Sequence, residues 1–150
     1  MRYLDMVIKE TIRLYPPVPV ILRRAHKQII LSSGRLVPRN AGILVPVISV
    51  HRNPKYWTDA EHFDPHRFLP ERIATVPEGA YIPFSYGPRS CVGYKLVSYM
   101  VKLSLCALLR KYKVVGEPAA GPVPYIPLKF EITMKPADDC KIELVYRTRA

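Results

Sequence analysis

Sixteen prolines against seven glycines in a chain of 150 residues limit its fold more than any other feature. Each proline fixes φ and removes a backbone donor, so this density implies short extended segments, turns and loops rather than a helical bundle. From Arg52 to Phe84 the chain shows little periodicity and carries Pro54, Pro65, Pro70, Pro77 and Pro83. This stretch reads as irregular coil with short helical turns, and a loop of that length in a compact domain is usually functional when ordered.

Two segments escape this punctuation. In the first, Leu4, Val7, Ile8, Ile12 and Tyr15 recur at helical steps until Pro16-Pro17 stops the pattern, which predicts a helix over Met1 to Tyr15. In the second, Leu96, Val97, Met100, Val101, Leu103, Ser104, Ala107 and Leu108 predict a long helix from Gly93 to Val114, with Arg110, Lys111 and Lys113 near its negative end. Short β-type runs fill the space between: Val18 to Leu22, Lys27 to Leu31, Leu36-Val37 and Gly42 to Val50. The tail, Phe130 to Lys135 and Ile142 to Arg147, reads as a hairpin around Pro136 to Asp139. Together these predict one α+β unit, residues 1–150, with small mixed or antiparallel sheets.

The formal charge of +11 makes an anionic partner physically plausible but does not choose one. Cys91, Cys106 and Cys140 are odd in number and widely spaced, which favours a reducing compartment over a disulfide framework. The longest apolar run, Ala41 to Val50, contains Pro46 and falls short of the about 20 residues of a membrane span. The chain opens directly in an amphipathic pattern, from which a start inside a domain is expected.

Chemistry concentrates in Phe84-Ser85-Tyr86-Gly87-Pro88-Arg89-Ser90-Cys91-Val92-Gly93, a turn-rich loop leading into the long helix. A cysteine just before a helix N-terminus meets the macrodipole and unpaired backbone N–H groups, which favour the metal-binding thiolate. Arg89 could pair with a ligand carboxylate or phosphate, and Gly87 and Gly93 let the backbone approach a flat group. Iron in haem needs one axial protein ligand if oxygen is to bind opposite, and a lone loop cysteine meets that need. The plain alternative makes Cys91 a small buried hydrophobe and Arg89 a surface charge. Two further features precede the loop. Glu10 and Arg13 share one face of the first helix. Phe63-Asp64-Pro65-His66-Arg67-Phe68 brings an arginine that, folded back, would complete a buried charged cluster.

In that order these residues resemble the cytochrome P-450 family. Glu10 to Arg13 matches its E-x-x-R helix, Phe63 to Phe68 its aromatic-proline-arginine element, and Phe84 to Gly93 its F-x-x-G-x-R-x-C-x-G haem loop. The resemblance runs over essentially the whole chain but represents only the C-terminal third of a family member. It implies the C-terminal part of the P-450 fold and haem b (iron protoporphyrin IX) as cofactor. Cys91 would be the proximal iron ligand, Arg89 and Arg23 would reach the haem propionates, and Phe84 would pack beside the thiolate. Glu10, Arg13 and Arg67 would form the structural triad. Pro17 to Leu22 and the tip Pro136 to Cys140 would line the substrate pocket.

The wording around Lys9 to Pro16 and Tyr81 to Ser85 is most similar to the microsomal family-4 fatty-acid hydroxylases, insect members included. His66, Tyr86, Ser90 and Tyr94 depart from that group and bear on substrate class. The resemblance implies monooxygenation of a lipophilic substrate with O2 and electrons from an NADPH-cytochrome P-450 reductase or similar donor. It also implies an endoplasmic reticulum location on the cytoplasmic face, with membrane association through a part upstream of this chain. No catalytic side chain is assigned within it, because the family's proton-delivering distal helix lies upstream of E-x-x-R.

Three other readings compete. A zinc site is suggested by His62 and His66, but Pro65 lies between them and the cysteines lack metal-ligand spacing. A basic nucleic-acid module is suggested by the charge, yet the positive residues are scattered and no recognition motif is present, so no nucleic-acid partner is expected. A non-catalytic remnant of the same family would leave both helices with exposed apolar faces.

Overall fold

The computed structural model describes residues 2–115, 126–137 and 142–147. Its α+β architecture comprises two long helices, with two-stranded antiparallel ladders and irregular chain between them in sequence and two further ladders after the second helix.

Helix α1 spans Arg2–Leu14. Pro16 follows, and the Leu14 carbonyl left over at the helix end accepts from Arg52 Nη2 at 2.6 Å and Nε at 3.2 Å. The buried stripe of α1 is Met6, Glu10, Arg13 and Leu14. The apolar residues that revealed the helix, Leu4, Val7, Ile8 and Ile12, are only half-buried. Its most hidden face is therefore partly ionic, which periodicity of apolar residues does not register.

Strands β1 (Val20–Arg24) and β4 (Gly42–Pro46) pair antiparallel with Val20 opposite Pro46, and β2 (Ile29–Ile30) pairs with β3 (Leu36–Val37) within that excursion. The run from Gly42 to Val50 is not one strand. The ladder ends at Pro46, which has no N–H to donate, and Val47–His51 turns into the short helix α2. An unbroken apolar run suits either geometry, so pattern alone does not separate them.

The segment from Arg52 to Phe84 is irregular as expected, with a 3-10 turn at Pro65–Phe68 and the single-turn helix α3 at Pro70–Ile73. Asp64 caps the turn, its side chain accepting from the His66 N–H at 3.0 Å. This segment supplies the core. Met6 of α1 packs with Trp57, Ala60 and Phe68, joined by Tyr56, Leu69, Ile73, Val76 and Tyr81. Aromatic edges meet there, with Phe68 and Tyr81 centroids 4.9 Å apart and the Trp57 Nε1–H donating to the Ala80 carbonyl at 3.3 Å.

Helix α4 spans Tyr94–Lys111 and gives way to strand β5 (Tyr112–Val115), so the last residues expected to be helical are extended. The tail also departs from the expected hairpin. Strand β6 (Leu128–Phe130) pairs with β7 (Met134–Pro136) around Glu131 to Thr133, while β8 (Glu143–Tyr146) pairs with β5. A long-range partner for β8 leaves no local mark in the sequence. The Met134 N–H donates to the Pro17 carbonyl at 2.7 Å, which brings β7 to the segment after α1. Residues 138 to 140 of the expected pocket tip, Cys140 among them, lie outside the described residues.

Candidate functional site

The site rests on a buried ionic cluster. Three residues apart on α1, Glu10 and Arg13 are both fully buried, with Arg13 Nε donating to Glu10 Oε2 at 2.7 Å and Nη2 to Oε1 at 2.9 Å. The rest of the guanidinium is spent on backbone carbonyls: Nη1 on His51 at 2.8 Å and Ala60 at 2.7 Å, Nη2 on His62 at 3.2 Å. Arg67, 6% exposed, sits with Nε 3.3 Å from Glu10 Oε1 as an ion pair without hydrogen-bond geometry. Its other nitrogens donate to the carbonyls of Thr58, Asp59 and His62. Glu10 Oε1 also accepts from the Asp64 N–H at 2.9 Å. Two cations and one anion out of water would be costly alone. Here five backbone carbonyls satisfy the surplus donors, and the irregular segment is fixed by them.

His51, at the end of α2, joins this cluster to the loop. Its ring is fully buried, with Nδ1 3.2 Å from the Arg13 carbonyl and Nε2 accepting from the Ile82 N–H at 2.9 Å. It stacks on Tyr81 at 5.3 Å between centroids. Burial, with Arg13's charge adding, pushes its pKa down to about 4. Burial likewise drives the Tyr81 phenol well up, helped by the negative charges of Glu10 and Asp5, and its hydroxyl donates to the Lys9 carbonyl at 3.1 Å.

Beyond Ile82 the chain forms the cysteine loop. The Cys91 N–H donates to the Phe84 carbonyl at 2.8 Å and closes the loop at its neck. Inside, Ser85 holds φ +66° and Gly87 φ +77°, and Gly87–Arg89 makes a 3-10 turn. A left-handed serine is uncommon and is held where surrounding contacts over-determine it. One such contact is visible, since Arg23 Nη2 of β1 donates to Ser85 Oγ at 2.7 Å. Phe84 is half-buried and its ring lies 6.1 Å from that of Tyr94.

Cys91 is exposed, two residues before the cap residue Gly93, behind which Tyr94 begins to wind as α4. Nothing lies within 4 Å of where Gly87 would carry a Cβ, and a Cβ on Gly93 would stand 3.9 Å from the Cys91 sulfur. The sulfur thus has open space for a broad flat ligand. An exposed thiol, a glycine with a free approach and a helix start behind them fit an iron porphyrin held through sulfur. Arg89 is exposed in the same loop.

The structure thus brings Glu10, Arg13 and Arg67 together, and it joins Arg23 to the loop of Phe84, Gly87, Arg89, Cys91 and Gly93 through Ser85. His62 contributes its carbonyl to the cluster, and exposed His66 has Nδ1 3.3 Å from Asp64 Oδ1. Among the described residues no three His, Cys, Asp or Glu side chains converge as a metal-holding group. Sequence reasoning missed His51 and Ser85. A histidine closing the apolar run Val47 to Val50 was the available signal for the first; the second had none.

The sequence matches the family model described as Cytochrome P-450 over residues 1–139. It is 39% identical to cytochrome P-450 4g15 of Drosophila melanogaster over 99% of this chain and 25% of that protein. It is 42% identical to cytochrome P-450 4F2 of Homo sapiens over 77% of this chain and 22% of that protein. A crystallised cytochrome P-450 superposes with a TM-score of 0.86 at 27% identity, covering 97% of this chain and 32% of that one. The chain spans about a quarter of the length of these curated relatives.

Proposed function

The chain belongs to the cytochrome P-450 family, and from that premise we propose that it carries the proximal haem-binding part of a monooxygenase. The observation that carries the reading is the exposed Cys91 sulfur on a loop closed at its neck and moored, through Ile82, to a buried ionic cluster. Bound through a thiolate, haem b supplies the activation of O2, since electron density from sulfur favours O–O cleavage. The residues of this chain bind and orient. Cys91 ligates the iron, and Gly87 and Gly93 admit the macrocycle without side-chain obstruction. Arg89 and Arg23 hold the propionate carboxylates, and Phe84 packs beside the sulfur. Glu10, Arg13 and Arg67 act at a distance by fixing the segment from which the loop departs.

The substrate class follows the resemblance to family-4 proteins: a lipophilic molecule such as a fatty acid, hydroxylated with electrons from an NADPH-dependent reductase. The net charge of +11 supports docking of an acidic electron donor. Among the described residues no helix is long and apolar enough to cross a membrane; a location at the cytoplasmic face of the endoplasmic reticulum follows the family-4 resemblance alone.

A second reading, a non-catalytic remnant of the same family, is favoured by one observation: α4 has no buried residue. Reconstitution with haem followed by the reduced carbon-monoxide spectrum separates the two. A thiolate-type Soret band that vanishes in Cys91→Ala supports the haem site. Soluble, folded protein that takes up no haem supports the remnant.

A further inference from the structure

A buried tether of the loop's entry, outside its own sequence neighbourhood, is a titratable ring with no part in ligating iron. A backbone N–H is only a donor, so the 2.9 Å contact from Ile82 requires a lone pair on His51 Nε2. The proton of the neutral ring then sits on Nδ1 and points at the Arg13 carbonyl. The same residue is bound twice to Arg13, because its own carbonyl accepts from Arg13 Nη1 at 2.8 Å. On the far side, Ile82 lies two residues before Phe84, whose carbonyl closes the loop on the Cys91 N–H.

We propose that His51 is a positioning residue whose neutral ring couples the Glu10–Arg13 pair to the entry of the cysteine loop, and whose protonation releases that entry. A second proton would set Nε2–H against the Ile82 N–H, two donors face to face at a fully buried ring. The groups facing the ring leave it no relief. From α1 comes the Arg13 guanidinium, whose charge opposes a second cation and is already matched by Glu10. From the loop side comes Tyr81, stacked on the ring with its hydroxyl committed to Lys9. Burial is the largest influence holding the ring neutral, down to a pKa of about 4. Below that pH the ring charges and the Ile82 contact is lost.

The test uses the haem-loaded full-length protein and two readouts, one of which needs no haem. In the wild type, hydrogen-exchange protection of the Ile82 amide should fall at least tenfold between pH 6.5 and pH 4, with the thiolate-type carbon-monoxide band fading over the same range. His51→Gln, which keeps an acceptor for Ile82 but does not titrate, should hold both nearly constant over that range. His51→Phe keeps the stack on Tyr81 but no acceptor, and should lose Ile82 protection already at pH 7. Should the Phe variant not fold, nitrogen-15 signals of wild-type His51 decide: the Nδ1–H tautomer at pH 7 supports the coupling, and the Nε2–H tautomer overturns it. A His51→Gln acid profile identical to wild type also overturns it. The exchange readout stands whether or not the haem assignment does, so the two can fail separately.

Discussion

Around α1 and the irregular segment, the largest fully buried side chains are Trp57, Arg13, Leu14, His51 and Glu10, three of them polar or ionisable. Along α4, eighteen residues contain none that is buried, and Leu96 and Leu103 stand 65% and 68% exposed. Polarity is inside one region and apolar surface outside the other. Polar groups can be buried where partners are supplied, and Arg13 and Glu10 have theirs within the chain. The apolar face of α4 finds no comparable cover among the described residues. Between the regions, α1 and α4 are joined by the ion pair of Asp5 with Lys102, which lines a pocket of about 500 Å3, and a second pocket of about 430 Å3 is lined by Leu4, Val7 and Leu109 of the same helices. Burial pushes the Asp5 carboxyl up, but Lys102 and Lys9 outweigh it and hold it below its ordinary value.

This contrast can be broken by comparing variants of the 150-residue chain in chemical denaturation. The largest effect is expected from Glu10→Ala, which leaves Arg13 and Arg67 as unmatched buried cations and should cost about 3–5 kcal/mol. A loss below about 1 kcal/mol would show that the cluster is not structural. Next is acidification. His51 titrates near 6.5 when unfolded and about 4 when folded, so its contribution is complete above pH 6.5. It is lost as pH falls towards 4, by about 3 kcal/mol in all. His51→Gln should flatten that part of the stability–pH curve. Tyr81→Phe removes one hydrogen bond, to Lys9, and should cost about 1 kcal/mol. Smallest is Leu103→Ser on α4, expected within about 0.5 kcal/mol of wild type. A loss like that of Glu10→Ala would mean that α4 is as firmly packed as α1.

Much of this was legible in the residues, and the gaps have physical causes. Both long helices and the irregular stretch follow from periodicity and proline placement, and the family resemblance rests on three motifs in order. The Glu10–Arg13 spacing announces a local pair. It does not announce that the acceptors are carbonyls of His51, Ala60 and His62, because a backbone oxygen has no sequence signature. The β5–β8 pairing was missed for a related reason, since strands that meet across a long separation share no local turn signal. Val47–His51 was misread because a short apolar run is consistent with strand or helix until the proline before it is weighed.

The separations within the ionic cluster constrain how the protein is made. Arg13 reaches carbonyls 38, 47 and 49 residues further along, and Glu10 accepts from an amide 54 residues on. On the ribosome, α1 must therefore wait, its charged face wet, while dozens of codons are read before its acceptors emerge. Closing such long spans carries an entropic cost ahead of any contact. Assembly of the cluster thus follows translation of residue 67, and the cysteine loop, further downstream still, is laid onto a foundation that can already be set.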